Sequence, residues 1–178
     1  MGDLFFALLK SVIYTMVLGT AMFFIGEALP RKWFKAEKFP FRPFRWEGGG
    51  RLYEKVRIKK WKDRAPDMSR IRKKMVPKRI GIAPTPAKVY RLVQETCVAE
   101  FVHVVLIFLG FPMLIFWRER LIAGLILSVL YALGNLGFVM IQRYNRPMLL
   151  SLAKRLEIRE ERKKHVNDTI PEGSDPVG

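Results

Sequence analysis

Leu121-Ile122-Ala123-Gly124-Leu125-Ile126-Leu127-Ser128-Val129-Leu130-Tyr131-Ala132-Leu133-Gly134-Asn135-Leu136-Gly137-Phe138-Val139-Met140-Ile141 runs for 21 residues without a charge. As a helix it is long enough to cross bilayer hydrocarbon, which takes about 20 apolar residues. Two other windows match it. Leu4 to Leu29 is interrupted only by Lys10 and Glu27, and Lys10 can snorkel outward along its apolar stem. Phe101 to Trp117 has 17 residues, with His103 its sole ionisable side chain. Its helix begins earlier. Pro84-Thr85-Pro86 is a start signal, with Thr85 as N-cap and Pro86 at the first helical position. Val89, Leu92, Val93, Thr96 and Cys97 then follow helical spacing, which predicts one helix from 86 to about 117.

Charge is segregated from these windows. The chain of 178 residues has 32 Lys+Arg against 16 Asp+Glu, a formal +16, and half of it is apolar. The stretch 30–100 holds 21 of the basic residues and 142–178 another eight, so 29 of 32 lie on one side of three spans. The positive-inside rule makes that side cytoplasmic and places the N-terminus outside. Arg118-Glu119-Arg120 becomes a tight external hairpin. One Cys and two His exclude a disulfide framework and a multi-Cys/His zinc site. Met1-Gly2-Asp3 lacks the basic start of a cleavable signal, and Phe6 stands where myristoylation prefers Ser or Thr, so the first window reads as an uncleaved anchor.

The expected fold class is therefore an all-α integral membrane protein: three transmembrane helices and a basic cytoplasmic segment containing a short interfacial helix. Residues 1–29 form the first span and 30–85 the basic segment. Residues 86–164 form the hairpin of the second and third spans with a juxtamembrane helix, and 165–178 a disordered tail. Within 30–85, Pro30 to Trp46 interleaves aromatics with Lys and Arg among prolines, which suits a headgroup layer. Gly48-Gly49-Gly50 breaks the chain. Residues 51–62 read as the interfacial helix, although alternate apolar positions leave a strand open.

Four side chains on the second helix share an arc. With Glu95 at 0°, Thr96, His103 and Glu100 fall at about 100°, 80° and 140°. Glu100 and His103, three apart, can touch. A carboxylate that fixes one imidazole nitrogen leaves the other as a general base. The alternative is a structural pair bridged to Asn135 or Arg143 on the third helix. Trp61-Lys62-Asp63-Arg64-Ala65-Pro66-Asp67 forms a charged turn. Gln142-Arg143-Tyr144-Asn145-Arg146-Pro147 ends the third span, either as ordinary snorkelling and a Tyr anchor or as a phosphate- or sugar-binding cluster. Asn135 suits a hydrogen bond between helices. Glu27 is interfacial, and Cys97 a packing residue.

These clusters carry a resemblance. Lys60-Trp61-Lys62-Asp63 with Pro66-Asp67, Glu95-Thr96 with Ala99-Glu100 and His103, and the Gln142 to Pro147 string resemble the glycosyl-4,4'-diaponeurosporenoate acyltransferase family over about 25–155. Met148 and Gly137 depart from its pattern. The resemblance implies a bacterial cell-membrane enzyme that esterifies a sugar hydroxyl of a carotenoid or related glycolipid with a fatty acyl group. His103 and Glu100 would be catalytic. Glu95, Trp61, Lys62, Asp63, Asn135, Gln142, Arg143, Tyr144, Asn145 and Arg146 would bind substrate. Arg143, Asn145 or Arg146 would stabilise the oxyanion or grip donor phosphates. The partners would be membrane lipid, a glycolipid acceptor and a cytosolic acyl donor such as acyl-CoA, with no metal or bound cofactor, and an enzyme of the same lipid pathway is a further candidate. A net +14 over 30–100 attracts such a donor. The competing reading is a non-catalytic subunit that docks an enzyme or anionic lipid through its basic surface. Nucleic acid is disfavoured because no binding motif is present and topology already accounts for the charge. A transporter is disfavoured because three spans rarely enclose a path.

Overall fold

The computed structural model describes residues 2–62 and 85–169, with side chains as far as 166. Every regular element among them is helical. Helix α1 (Gly2–Ala28) occupies the first apolar window and starts with Asp3 in its first turn, where the helix dipole favours an acid. Pro30 stops it. Arg31 then turns back, and its Nη1 donates to the carbonyls of Gly26 (2.8 Å), Glu27 (2.8 Å) and Leu29 (2.7 Å), which satisfies carbonyls the helix leaves without partners.

The segment after α1 is folded rather than spread out. Short 3₁₀ turns at Arg31–Trp33 and Arg45–Gly50 lead into α2 (Arg51–Lys55) and α3 (Ile58–Trp61). Where one interfacial helix over 51–62 was expected, the chain breaks at Arg57, whose φ of 53° is left-handed. Neither that single helix nor the strand forms. Phe34, Ala36 and Phe41 instead pack on Val93, Cys97 and Val98. Tyr53 and Ile58 pack on Tyr144, with Trp61, Met140 and Ile141 around them. Residues 30–62 thus cap one end of the helical bundle.

Helix α4 (Pro86–Leu109) starts as expected, with Thr85 Oγ1 accepting from the Lys88 amide at 3.4 Å. It ends eight residues short of Trp117. Pro112 has no N–H to continue the ladder, and the chain goes on as a 3₁₀ segment, Phe111–Arg120, broken at Trp117. The connection, residues 110–120, is therefore eleven residues long, where the three-residue hairpin Arg118-Glu119-Arg120 was expected. It is pinned on both sides. Trp117 Nε1 donates to Ser11 Oγ of α1 at 2.8 Å. A Cβ on Gly124 would stand 2.5 Å from Trp117 Cβ, and one on Gly110 would stand 2.5 Å from the Tyr131 ring. A Cβ at either position would force its neighbour to shift.

Helix α5 (Leu121–Thr169) is 49 residues long with Pro147 inside it. It therefore takes in residues 165–169, which were expected to be disordered, and residues 170–178 lie outside the described part. Helices α4 and α5 run antiparallel, joined at Tyr90–Glu157, Glu100–Arg143 and His103–Asn135. Among the described residues, two helical runs are long and apolar enough to cross a membrane, α1 and the folded run Pro86–Val166, where three separate spans were expected.

Candidate active site

Beneath the cap, Glu100 of α4 divides its carboxylate between two arginines of α5. Arg143 Nη1 donates to Oε1 and Arg146 Nη2 to Oε2, each at 2.5 Å. Arg143 also reaches Glu47, through Nε at 2.7 Å and Nη2 at 2.6 Å, and donates to the carbonyls of Pro40 and Arg42. Arg146 donates to the Phe41 carbonyl at 2.6 Å and to the hydroxyl and carbonyl of Thr96. Glu47 and Arg146 are each 1% exposed and Glu100 5%. Two carboxylates thus meet two guanidiniums in a closed, electrically balanced cluster. Excellent geometry of this kind is what makes buried charge tolerable. Burial pushes the adjoining Tyr53 phenol up to about 12, and the charge of Glu47 adds to the effect.

This geometry bears on three expectations. Glu100 does not orient His103, because both its oxygens are taken by arginine. Arg143 and Arg146 are not free for an oxyanion or donor phosphates, because protein acceptors engage their nitrogens. Glu95 is held by Arg31, through Nε at 3.1 Å and Nη2 at 3.0 Å, which ties the end of α1 to α4.

His103 instead pairs with Asn135, Nδ1 to Oδ1 at 2.9 Å. Asn135 Nδ2 donates to the Tyr131 carbonyl at 3.0 Å. That bond turns the amide oxygen toward the ring, so Nδ1 carries the proton and Nε2 keeps its lone pair. Phe138 stacks flat on the imidazole, with centroids 4.6 Å apart and planes within 7°. The ring is half-buried and held in one orientation.

The other expected residues divide into two groups. Trp61 donates to the Val56 carbonyl at 3.1 Å and sets its ring edge 3.8 Å from where a Gly137 Cβ would lie. Lys62 sits over the Tyr144 ring at 5.5 Å, and Tyr144 is buried. These three join the cap to α5. Gln142 and Asn145 are partly exposed and have no side-chain hydrogen bond among the described residues. Asp63 lies outside the described residues. Sequence reasoning missed Glu47, whose signal was a lone acid between Phe39 and Tyr53 in a run of cations and aromatics. It also missed Phe138.

The model of the family described as glycosyl-4,4'-diaponeurosporenoate acyltransferase matches residues 30–155, which takes in both the arginine cluster and the His103–Asn135 pair. The chain belongs to this family. Curated glycosyl-4,4'-diaponeurosporenoate acyltransferases of Staphylococcus aureus are similar to it. Those of strains bovine RF122 / ET3-1 and N315 are 27% identical and that of MRSA252 26%, each over 152 residues covering 84% of this chain and 90% of the relative. No solved structure matches. As a glycosyl-4,4'-diaponeurosporenoate acyltransferase family member the chain is an enzyme of acyl transfer. Within the Gln142 to Pro147 string, Arg143 and Arg146 are buried while Gln142 and Asn145 are partly exposed.

Proposed function

We propose that the chain crosses the bacterial cell membrane three times, with α1, α4 and α5, and esterifies a sugar hydroxyl of a carotenoid or related glycolipid with a fatty acyl group. The N-terminus would lie outside, and the cap and the C-terminus in the cytoplasm. Support for the membrane comes from side chains such as Phe5, Met16, Phe24, Ile122 and Leu130, all more than half exposed on α1 and α5. Apolar surface this continuous suits lipid rather than water.

The observation that carries the chemistry is the bond from His103 to Asn135. A neutral imidazole with its Nδ1 proton committed presents Nε2 as a base. The acceptor hydroxyl gives Nε2 its proton as oxygen attacks the acyl carbonyl of a cytosolic thioester. The tetrahedral intermediate then collapses and expels thiolate, which recovers the proton from the imidazolium. Ester and free thiol are the products. Such assistance contributes roughly 10²–10⁴ in rate. Asn135 and Gln142 are seven residues apart, about 10 Å along one stripe of α5. Gln142 and Asn145 therefore suit the sugar's remaining hydroxyls rather than the reacting oxygen.

The test is lipid profiling by mass spectrometry in a host that makes the glycolipid and lacks its acylation. The intact chain is expected to add one acyl mass. His103→Ala should leave the glycolipid unesterified while the protein still accumulates in membranes, and full esterification by that variant would end the proposal.

A further inference from the structure

A surface of the cap matches the nucleotide end of the acyl donor. Phe44 and Trp46 stack with ring centroids 5.6 Å apart and planes 10° from parallel. The guanidinium of Arg143, fixed by Glu47 and Glu100, lies over the Phe44 ring at 4.7 Å. Phe44 is thereby anchored to the buried cluster, and Trp46 rests on an anchored ring. Trp46 is nevertheless 64% exposed, so much of the indole faces outward. Arg42, Arg45 and Arg51 are exposed beside it in sequence. The side chains of Arg42 and Arg45 have no hydrogen bond or ion pair among the described residues. Arg51 uses only Nε, toward the Gly48 carbonyl at 3.3 Å. The space around Gly49 is open, since a Cβ there would meet nothing within 4 Å.

Trp33 and Phe39, 66% and 82% exposed, have no stacked ring among the described residues, which suits side chains resting in lipid. A flat indole backed by a parallel ring, with three exposed arginines within five residues of it in sequence, suits a different occupant, one with a planar base and several negative charges.

We propose that Trp46 is the platform on which the adenine of a coenzyme A thioester stacks, with Arg42, Arg45 and Arg51 taking its phosphates. The choice of donor rests on the acyl-transfer reading above. Arginine forks match phosphate oxygens in pairs, and an aromatic face accepts a base without needing its edges. Arg143, at the root of the stack, is eight residues and about 12 Å along α5 from Asn135. The pantetheine arm provides a link of that kind between nucleotide and acyl carbonyl.

The experiment is binding of free coenzyme A to the full chain in nanodiscs by calorimetry, beside binding of an acyl-pantetheine, which has the arm and no nucleotide. Trp46→Ala should weaken coenzyme A roughly tenfold to a hundredfold, the range of one base–aromatic stack, and leave acyl-pantetheine unchanged. Trp46→Phe should keep most of the affinity, and Arg45→Glu should lower it with a shallower salt dependence. Unchanged coenzyme A affinity in Trp46→Ala overturns the proposal. So does an equal loss for both ligands, or a loss seen only when the nanodisc contains anionic lipid, where Trp46 would be a headgroup anchor. No turnover is read, so His103→Ala should bind coenzyme A like the parent chain, and a failure of His103 as base is distinguishable from a failure of the stack.

Discussion

Nδ1 of His103 and Oδ1 of Asn135 stand 2.9 Å apart, across the seam between two antiparallel helices. The partner of the imidazole is an amide, and the amide's own direction is set by the Tyr131 carbonyl. An amide fixes the tautomer of a histidine as a carboxylate does, but it places no negative charge beside the imidazolium that forms.

Asn135→Ala should therefore cost rate more than binding. With the tautomer and ring angle released, kcat is expected to fall about tenfold to a hundredfold while KM for the glycolipid holds. A KM rise with kcat intact, in steady-state assays on nanodisc protein, would assign Asn135 to substrate contact instead.

Glu100→Gln should act on the fold. It takes the balancing charge from Arg146, and breaking a buried pair in this way costs about 3–5 kcal/mol. Membrane yield and the melting temperature in detergent are expected to drop sharply. Molecules that do fold should keep His103 chemistry, read as activity per folded protein, whereas His103→Ala should melt closer to the parent than Glu100→Gln does and not turn over.

Gly124→Ala should damage the hairpin more than Gly110→Ala. The first places a methyl 2.5 Å from Trp117 Cβ, an atom fixed to the backbone. The second meets the Tyr131 ring, which can swing aside. Overpacking of this kind costs about 1–3 kcal/mol, so the two melting temperatures should order as Gly124→Ala below Gly110→Ala below the parent.

Gln142→Ala and Asn145→Ala are expected to raise KM for the glycolipid several-fold with little change in kcat or in melting temperature, since neither amide bonds to the rest of the described chain. A melting shift as large as that of Glu100→Gln would make them structural.

The sequence made the helices legible because hydropathy and the Thr85–Pro86 cap are local signals. It placed the start of α4 and the extent of α1, and it put Glu100, His103, Asn135 and Arg143 on facing helices. Pairing was harder. Helical spacing puts Glu100 and His103 on one arc, but two arginines arriving from α5 compete for the same carboxylate and win on charge. The contacts that form are His103 to Asn135 and Glu100 to Arg143. Glu47 escaped because a loop residue 53 positions before Glu100 has no periodicity to betray it. The break at Arg57 and the long 3₁₀ connection escaped because both depend on what the chain packs against.

The cluster of Glu47, Glu100, Arg143 and Arg146 also dictates an order of assembly. A ribosome delivers Glu47 before any of the other three, since synthesis runs from the N-terminus. The arginines of α5 emerge last and find both countercharges already waiting. Insertion of the final helix therefore ends in neutralisation, and a nascent chain truncated before residue 143 would leave Glu47 and Glu100 without the arginines that pair with them.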